Sequence, residues 1–162
     1  MWSRLLLPNR FKAIGWYLFV PALISGIFVL ATGYEADWLN VPVFAVYNGN
    51  YLGKDQIFAL IDDNITLEVI AVLFITGGLF IGFSREKRED EFLANLRWSS
   101  LVWAVVVNYV LLLLAIVFIY GDVFFRVMQY NMFTVLLIFI ARYRFLLYRN
   151  SRFAGDGNKI LV

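Results

Sequence analysis

The chain has no cysteine and no histidine among its 162 residues. These absences exclude disulfides, thiol nucleophiles, imidazole general bases and zinc sites built from Cys and His. Charge is also scarce, since Asp, Glu, Lys and Arg make up 16% of the chain, against roughly 25% in soluble domains. A net charge of +2 is too small for a nucleic-acid-binding surface, so we expect no direct nucleic-acid binding. The sequence contains no cofactor or metal motif, and we expect no cofactor.

The chain is correspondingly rich in apolar residues. They make up 62% of the chain, whereas soluble domains contain roughly 45–50%. Four long apolar runs each approach the ~20 residues that cross the hydrocarbon core of a bilayer. These runs are residues 13–32, 65–83, 101–120 and 123–141.

The runs predict an all-α membrane protein, a four-transmembrane-helix bundle forming a single domain over 1–150. Because neither glycine nor proline occurs between Gly82 and Gly121, the third helix is expected to begin well before its apolar run. A flexible cytoplasmic tail is expected over 151–162. The predicted helices span about 13–32, 65–83, 85–120 and 123–148.

The positions of the cations predict the orientation. In a four-span topology, twelve of the fourteen Lys and Arg residues lie on one side, and Lys54 and Arg126 are the exceptions. Because cytoplasmic loops are rich in Lys and Arg, both termini and the 84–100 loop are expected in the cytoplasm. The outer loop, 33–64, is acidic and has Lys54 as its single cation.

The outer loop has a pattern typical of a small β-hairpin. Residues 41–47 are rich in β-branched and aromatic side chains, and the hairpin-type dipeptide Asn48-Gly49 follows them. Pro42 restricts the first strand to an edge position or places Pro42 at a strand start, and a return strand could begin at 50–52. The alternative is a short amphipathic turn of helix over 54–61.

Small residues at spacings of three and four mark faces on which transmembrane helices can approach closely. Three such stripes predict the inside of the bundle. They are Gly15, Ala22, Gly26 and Gly33 in helix 1; Glu68, Ala71, Ile75, Gly78 and Gly82 in helix 2; and Arg97, Leu101, Ala104, Asn108, Leu111, Ala115 and Phe118 in helix 3.

Five polar residues form a candidate intramembrane site. Glu68 and Arg126 are predicted at matched depth near the outer ends of helices 2 and 4, which favours a structural ion pair. The alternative is a proton or ion site. Gln129 shares the face of Arg126, whereas Asn131 points elsewhere on helix 4. Asn108 and these two amides are expected to form hydrogen bonds between helices.

The most distinctive stretch, 84–101, combines a dense run of charges with a short apolar patch. On a continuous helix Glu86 and Asp90 would repel each other. One interpretation is a solvated helix entry that meets the lipid headgroups, and the other is a docking surface for a cytoplasmic protein. The candidate partner contacts are Glu89, Phe92, Leu93 and Leu96.

Residues 84–148 resemble a known family. The resemblance depends mainly on the Arg-Glu-Lys-x-Glu-Asp-Glu-Phe run at 85–92, and downstream on Val107-Asn108-Tyr109 and Asn131-Met132-Phe133-Thr134. In these residues the chain resembles a family of small uncharacterised bacterial four-helix membrane proteins. Such proteins look like companions of small helix-turn-helix regulators encoded beside them. The resemblance implies a multi-pass protein of the bacterial cytoplasmic (inner) membrane with a cytoplasmic partner.

These observations favour a non-enzymatic regulatory or scaffolding membrane protein that contacts a cytoplasmic partner through segment 85–97. The rival hypothesis is a small oligomeric transporter or channel that uses Glu68 and Arg126. The expected partners are the lipid bilayer, a cytoplasmic protein and further copies of the chain.

Overall fold

The computed structural model describes residues 6–34, 36–48, 56–86 and 91–157, and most of them are helical. Four helices are each long and apolar enough to cross a membrane, as the four apolar runs predict. They are α1 (Arg10–Thr32), α2 (Thr66–Phe83), α3 (Glu91–Phe118) and α4 (Asp122–Gly157). An antiparallel pair of strands, β1 (Asn40–Asn48) and β2 (Gln56–Asn64), lies between α1 and α2 in the chain.

Two helix boundaries differ by six residues or more from those predicted. Helix α3 begins at Glu91, whereas a start near 85 was expected. Arg85 lies outside the helix and pairs with the backbone of Leu7: its N–H donates to the carbonyl oxygen of Leu7 over 2.9 Å, and the Leu7 N–H donates to the carbonyl oxygen of Phe83 over 3.0 Å. Helix α4 continues through Gly157, so the predicted tail over 151–162 begins as helix. Residues 158–162 lie outside the described chain.

The chain divides into two compact units. Unit 1 comprises Met1–Tyr17 and Ile75–Val162, and unit 2 comprises Leu18–Phe74. The boundary cuts through α1 and α2, so each of these helices contributes one end to each unit. The single four-helix domain over 1–150 stays a prediction.

Unit 2 contains the hairpin. The strands are antiparallel, with Asn40 opposite Asn64 and Ala45 opposite Ala59. The predicted hairpin is therefore confirmed, and the alternative helical turn over 54–61 is wrong because β2 begins at Gln56. The predicted start of the return strand at 50–52 lies outside the described residues. Pro42 is at a sheet edge, as a residue without an N–H requires.

Hydrogen bonds attach the base of the hairpin to the first turn of α2. The Asn64 side chain donates from Nδ2 to the carbonyl oxygen of Ala36 over 2.9 Å, and its Oδ1 accepts from the Thr66 N–H over 3.0 Å. Oγ1 of the buried Thr66 accepts from the Ala36 N–H over 3.1 Å. These bonds satisfy backbone groups that a strand end and a helix start would otherwise leave without partners.

Unit 1 brings together the first turns of α1, the last turns of α2, and helices α3 and α4. Gly82 packs directly on Phe139, and a Cβ placed at Gly82 would lie 2.4 Å from Cε1 of that ring. Gly15 also lies close to α2, where a Cβ would meet the Gly77 carbonyl oxygen at 2.9 Å. Glycine at these positions therefore permits the close helix contacts that the small-residue stripes predict.

The stripe predicted for α3 is confirmed in part. Its buried members are Arg97, Ala104, Asn108 and Ala115. Leu111 and Phe118 are 45% and 74% exposed, so the prediction is wrong at these two positions.

Candidate functional site at the Arg97 end of unit 1

A polar cluster lies where α2 ends and α3 begins. Its members, called here the Arg97 cluster, are Lys12, Ser84, Glu86, Arg97 and Tyr143. Arg97 is only 6% exposed and Tyr143 only 1%, so their polar atoms need partners within the protein.

Arg97 connects the end of α2 with α4. Its Nη2 donates to the carbonyl oxygen of Ser84 over 3.2 Å and to the Tyr143 hydroxyl over 3.1 Å. Its guanidinium carbon also lies 5.3 Å from the centroid of the Tyr143 ring, within the range of a cation–π contact. The Tyr143 hydroxyl donates in turn to Oε1 of Glu86 over 3.4 Å.

Glu86 receives a second partner from α1. Nζ of Lys12 forms an ion pair with its Oε1, and both side chains are mostly buried. The backbone supports this arrangement, because Leu7 lies parallel to Ser84 in a one-residue bridge. The Asn9 side chain adds a hydrogen bond of 2.6 Å to the carbonyl oxygen of Arg85.

The arrangement of the Arg97 cluster is better suited to holding helix ends together than to acid–base chemistry. A guanidinium keeps its proton throughout the range in which proteins are folded, so Arg97 acts as a fixed positive charge. The chain of contacts from Arg97 through Tyr143 and Glu86 to Lys12 connects α3, α4, the 84–86 segment and α1. Both ends of the described part of segment 85–97 are thereby held in place.

The candidate partner contacts do not share one exposed face. Phe92 is 55% exposed, whereas Leu93 and Leu96 are half-buried on the side of α3 that carries Arg97 and Ser100. The exposed residues between 91 and 99 are instead Glu91, Phe92, Asn95, Trp98 and Ser99. Glu89 lies outside the described residues.

Two of the three amide side chains of the candidate intramembrane site bind each other, and the third does not join them. Asn108 of α3 and Asn131 of α4 form a reciprocal pair of hydrogen bonds, which confirms the expectation of hydrogen bonds between helices for these two residues. Gln129 is exposed on α4.

The two charged residues of that site lie in different units. Glu68 is in the first turn of α2, within unit 2, and Arg126 is near the start of α4, within unit 1. Both side chains are exposed. Their pairing stays a prediction.

Sequence reasoning missed most of the Arg97 cluster. It assigned Glu86 to a helix, where its neighbour would be Asp90, and did not single out Lys12, Ser84 or Tyr143. One signal was present, since Arg97 is a charge on a stripe otherwise made of small, apolar and amide residues. A charge in that pattern indicates a buried cation that must find acceptors.

Among the residues that the structure describes, no group of three or more carboxylates could hold a metal ion. Comparison of the chain with protein-family models, with curated proteins and with solved structures finds no match.

Proposed function

We propose that this chain is a non-enzymatic integral membrane protein of a regulatory or scaffolding kind. In this proposal it crosses the bilayer four times, both termini lie in the cytoplasm, and segment 85–97 contacts a cytoplasmic protein. The observation that carries the proposal is the Arg97 cluster, which holds both ends of the described part of this segment and leaves Phe92 outside.

The start of α3, which Arg97 holds in place and which carries an outward aromatic side chain, has the properties of a recognition surface. Ordering a flexible segment on binding costs free energy, and a segment already held by buried hydrogen bonds avoids much of that cost. Phe92 and Trp98 are 55% and 56% exposed in the first turns of α3, where they can serve as aromatic anchors.

The charge distribution supports the orientation. The Arg97 cluster and the first turns of α1 lie at the helix ends around which most of the Lys and Arg residues occur in the sequence. The positive-inside rule therefore favours a cytoplasmic location for this end. The resemblance over 84–148 suggests the bacterial inner membrane as the location and a helix-turn-helix regulator as the partner.

Single-cysteine labelling tests the topology, and the absence of native cysteine makes each label unambiguous. Trp38→Cys, in the hairpin region, should react with a membrane-impermeant maleimide in intact cells because Trp38 is 78% exposed. Asn95→Cys should react only after permeabilisation. Labelling of Asn95→Cys in intact cells would contradict the orientation.

Photo-crosslinking tests the recognition surface. A photoreactive amino acid at Phe92 should give an adduct of one defined mass in native membranes. The same amino acid at Phe145 is the matched control, because Phe145 is 62% exposed on α4 and lies outside the segment. Phe92→Ser should abolish co-purification of the crosslinked protein without lowering thermal stability. Equal adducts from both positions, or none, would refute the docking role.

A further inference from the structure

A groove of about 650 Å³ opens beside the Arg97 cluster in unit 1. It combines charged, aromatic and aliphatic walls. The residues that matter here are Lys12, Trp16, Glu86, Leu93, Arg144 and Leu147. We propose that this groove, called here the Trp16 groove, binds the phosphate-bearing headgroup of an anionic phospholipid.

The charge of the groove favours an anion. Lys12 and Glu86 form an ion pair, so their charges largely cancel. Arg144 contributes the remaining charge, and no carboxylate among the described residues forms an ion pair with it. Its guanidinium carbon lies 5.1 Å from the centroid of the Trp16 ring. This cation–π contact positions the guanidinium while its N–H groups remain able to donate to phosphate oxygens.

The other wall favours a lipid over a free anion. Leu93 and Leu147 line the groove and are half-buried, so they offer an aliphatic surface next to the cation. An inorganic phosphate would leave this surface unused. The glycerol backbone and the upper part of an acyl chain would cover it, and burial of that apolar surface adds to the attraction between Arg144 and the phosphate.

The position of the groove along the helices fits the same occupant. Lys12 and Trp16 are in the first two turns of α1, and Leu93 is in the first turn of α3. Under the proposed topology, on which this inference rests, these turns lie at the level of the cytoplasmic headgroups. Anionic lipids supply the negative surface potential of that leaflet, and basic pockets between helices on that side suit their headgroups.

Native mass spectrometry of the full chain released from nanodiscs tests the inference. In nanodiscs of equal phosphatidylcholine and phosphatidylglycerol, the chain should retain phosphatidylglycerol selectively. Arg144→Gln should lower the retained fraction about fivefold, the effect of one basic residue near a membrane surface. The matched control is Arg149→Gln, which removes an exposed cation of the same helix outside the groove and should retain the lipid as the natural chain does. Arg144→Lys, which keeps the charge but loses the planar fork, should show an intermediate loss.

Three outcomes would overturn the inference. Equal losses from Arg144→Gln and Arg149→Gln would show an unspecific attraction to surface charge. Displacement of the lipid by millimolar inorganic phosphate would show that the groove takes a free anion. Insertion into nanodiscs without preference for phosphatidylglycerol would refute the lipid site while leaving the proposed function intact. Failure to insert even into pure phosphatidylcholine nanodiscs would instead refute the membrane assignment on which both proposals depend.

Discussion

Asn108 and Asn131 exchange two hydrogen bonds, in which Nδ2 of each side chain donates to Oδ1 of the other over 3.1 Å. Asn108 is 4% exposed, so its amide has little access to water. Each amide therefore satisfies the other in surroundings where an amide without a partner is costly. The pair aligns α3 with α4, because sliding either helix by one turn would break both bonds.

A double-mutant cycle on this pair should reveal coupling. Asn108→Leu and Asn131→Leu should each destabilise the protein, since each leaves one buried amide without its partner. The double variant should lose less than the sum, with a coupling energy of about 0.6–2 kcal/mol. Unfolding in mixed micelles with increasing denaturing detergent measures these values. Gln129→Leu, at an exposed site on α4, is the control and should change little. Strictly additive losses would contradict the coupling.

The Tyr143 hydroxyl should contribute measurably to stability. Tyr143→Phe removes the bonds to Arg97 and Glu86 but keeps the ring, whose centroid lies 6.1 Å from that of Phe139. We expect a loss of about 1.5–3 kcal/mol, the usual contribution of hydrogen bonds to charged groups. Equilibrium unfolding provides the measurement.

The control for this change is Tyr109→Phe, which removes the hydroxyl of a side chain that is 60% exposed. This variant should stay within about 0.5 kcal/mol of the natural chain. The role assigned to the Arg97 cluster would be wrong if the two variants lost the same amount.

Gly82 should not tolerate a methyl group. In Gly82→Ala the new Cβ would overlap the Phe139 ring, so the ring or the helices must shift, and overpacking of this kind costs about 1–3 kcal/mol. Gly26→Ala is the matched control, because its Cβ would meet Ile70 Cγ2 at an ordinary 3.5 Å. That change should be neutral or slightly stabilising, since alanine is the better helix former. Thermal unfolding in detergent should show the difference, and equal midpoints would argue against close packing at Gly82.

The Glu68–Arg126 pair provides the test that separates the two functional hypotheses. If the side chains pair at matched depth, Glu68→Gln and Arg126→Gln should each destabilise the protein and the double change should cost less than the sum.

Proton flux into liposomes should be absent from the natural chain under the scaffolding hypothesis. A flux that Glu68→Gln abolishes would favour the transporter or channel.

The hairpin shows how much of the fold the local sequence pattern can predict. β-Branched and aromatic residues predicted a strand over 41–47, and β1 covers Asn40–Asn48. The return strand was harder to place, because β2 carries the pair Asp62 and Asp63 near its end, which is poor strand composition. Asn64 holds that end by donating a hydrogen bond to Ala36 and accepting one from Thr66, and these contacts depend on the fold around it.

The start of α3 shows where local pattern fails. A run without glycine or proline predicted helix from about 85, yet Arg85 pairs with the backbone of Leu7, 78 positions away by the numbering. Helix propensity contributes only a few tenths of a kcal/mol per residue, so tertiary contacts readily outweigh it.

The sequence by itself determined the four membrane-length helices and the cations at one set of their ends, because hydrophobic length and charge need no knowledge of neighbours. Only the tertiary structure decided which side chains meet. Leu93 and Leu96 are half-buried while Phe92 is exposed, and the Glu86 carboxylate accepts a hydrogen bond from Tyr143, a residue 57 positions away in the chain. These pairings depend on the rotation and register of packed helices. That arrangement arises from many contacts acting together, among them Gly82 on Phe139 and Asn108 with Asn131, and no local pattern contains it.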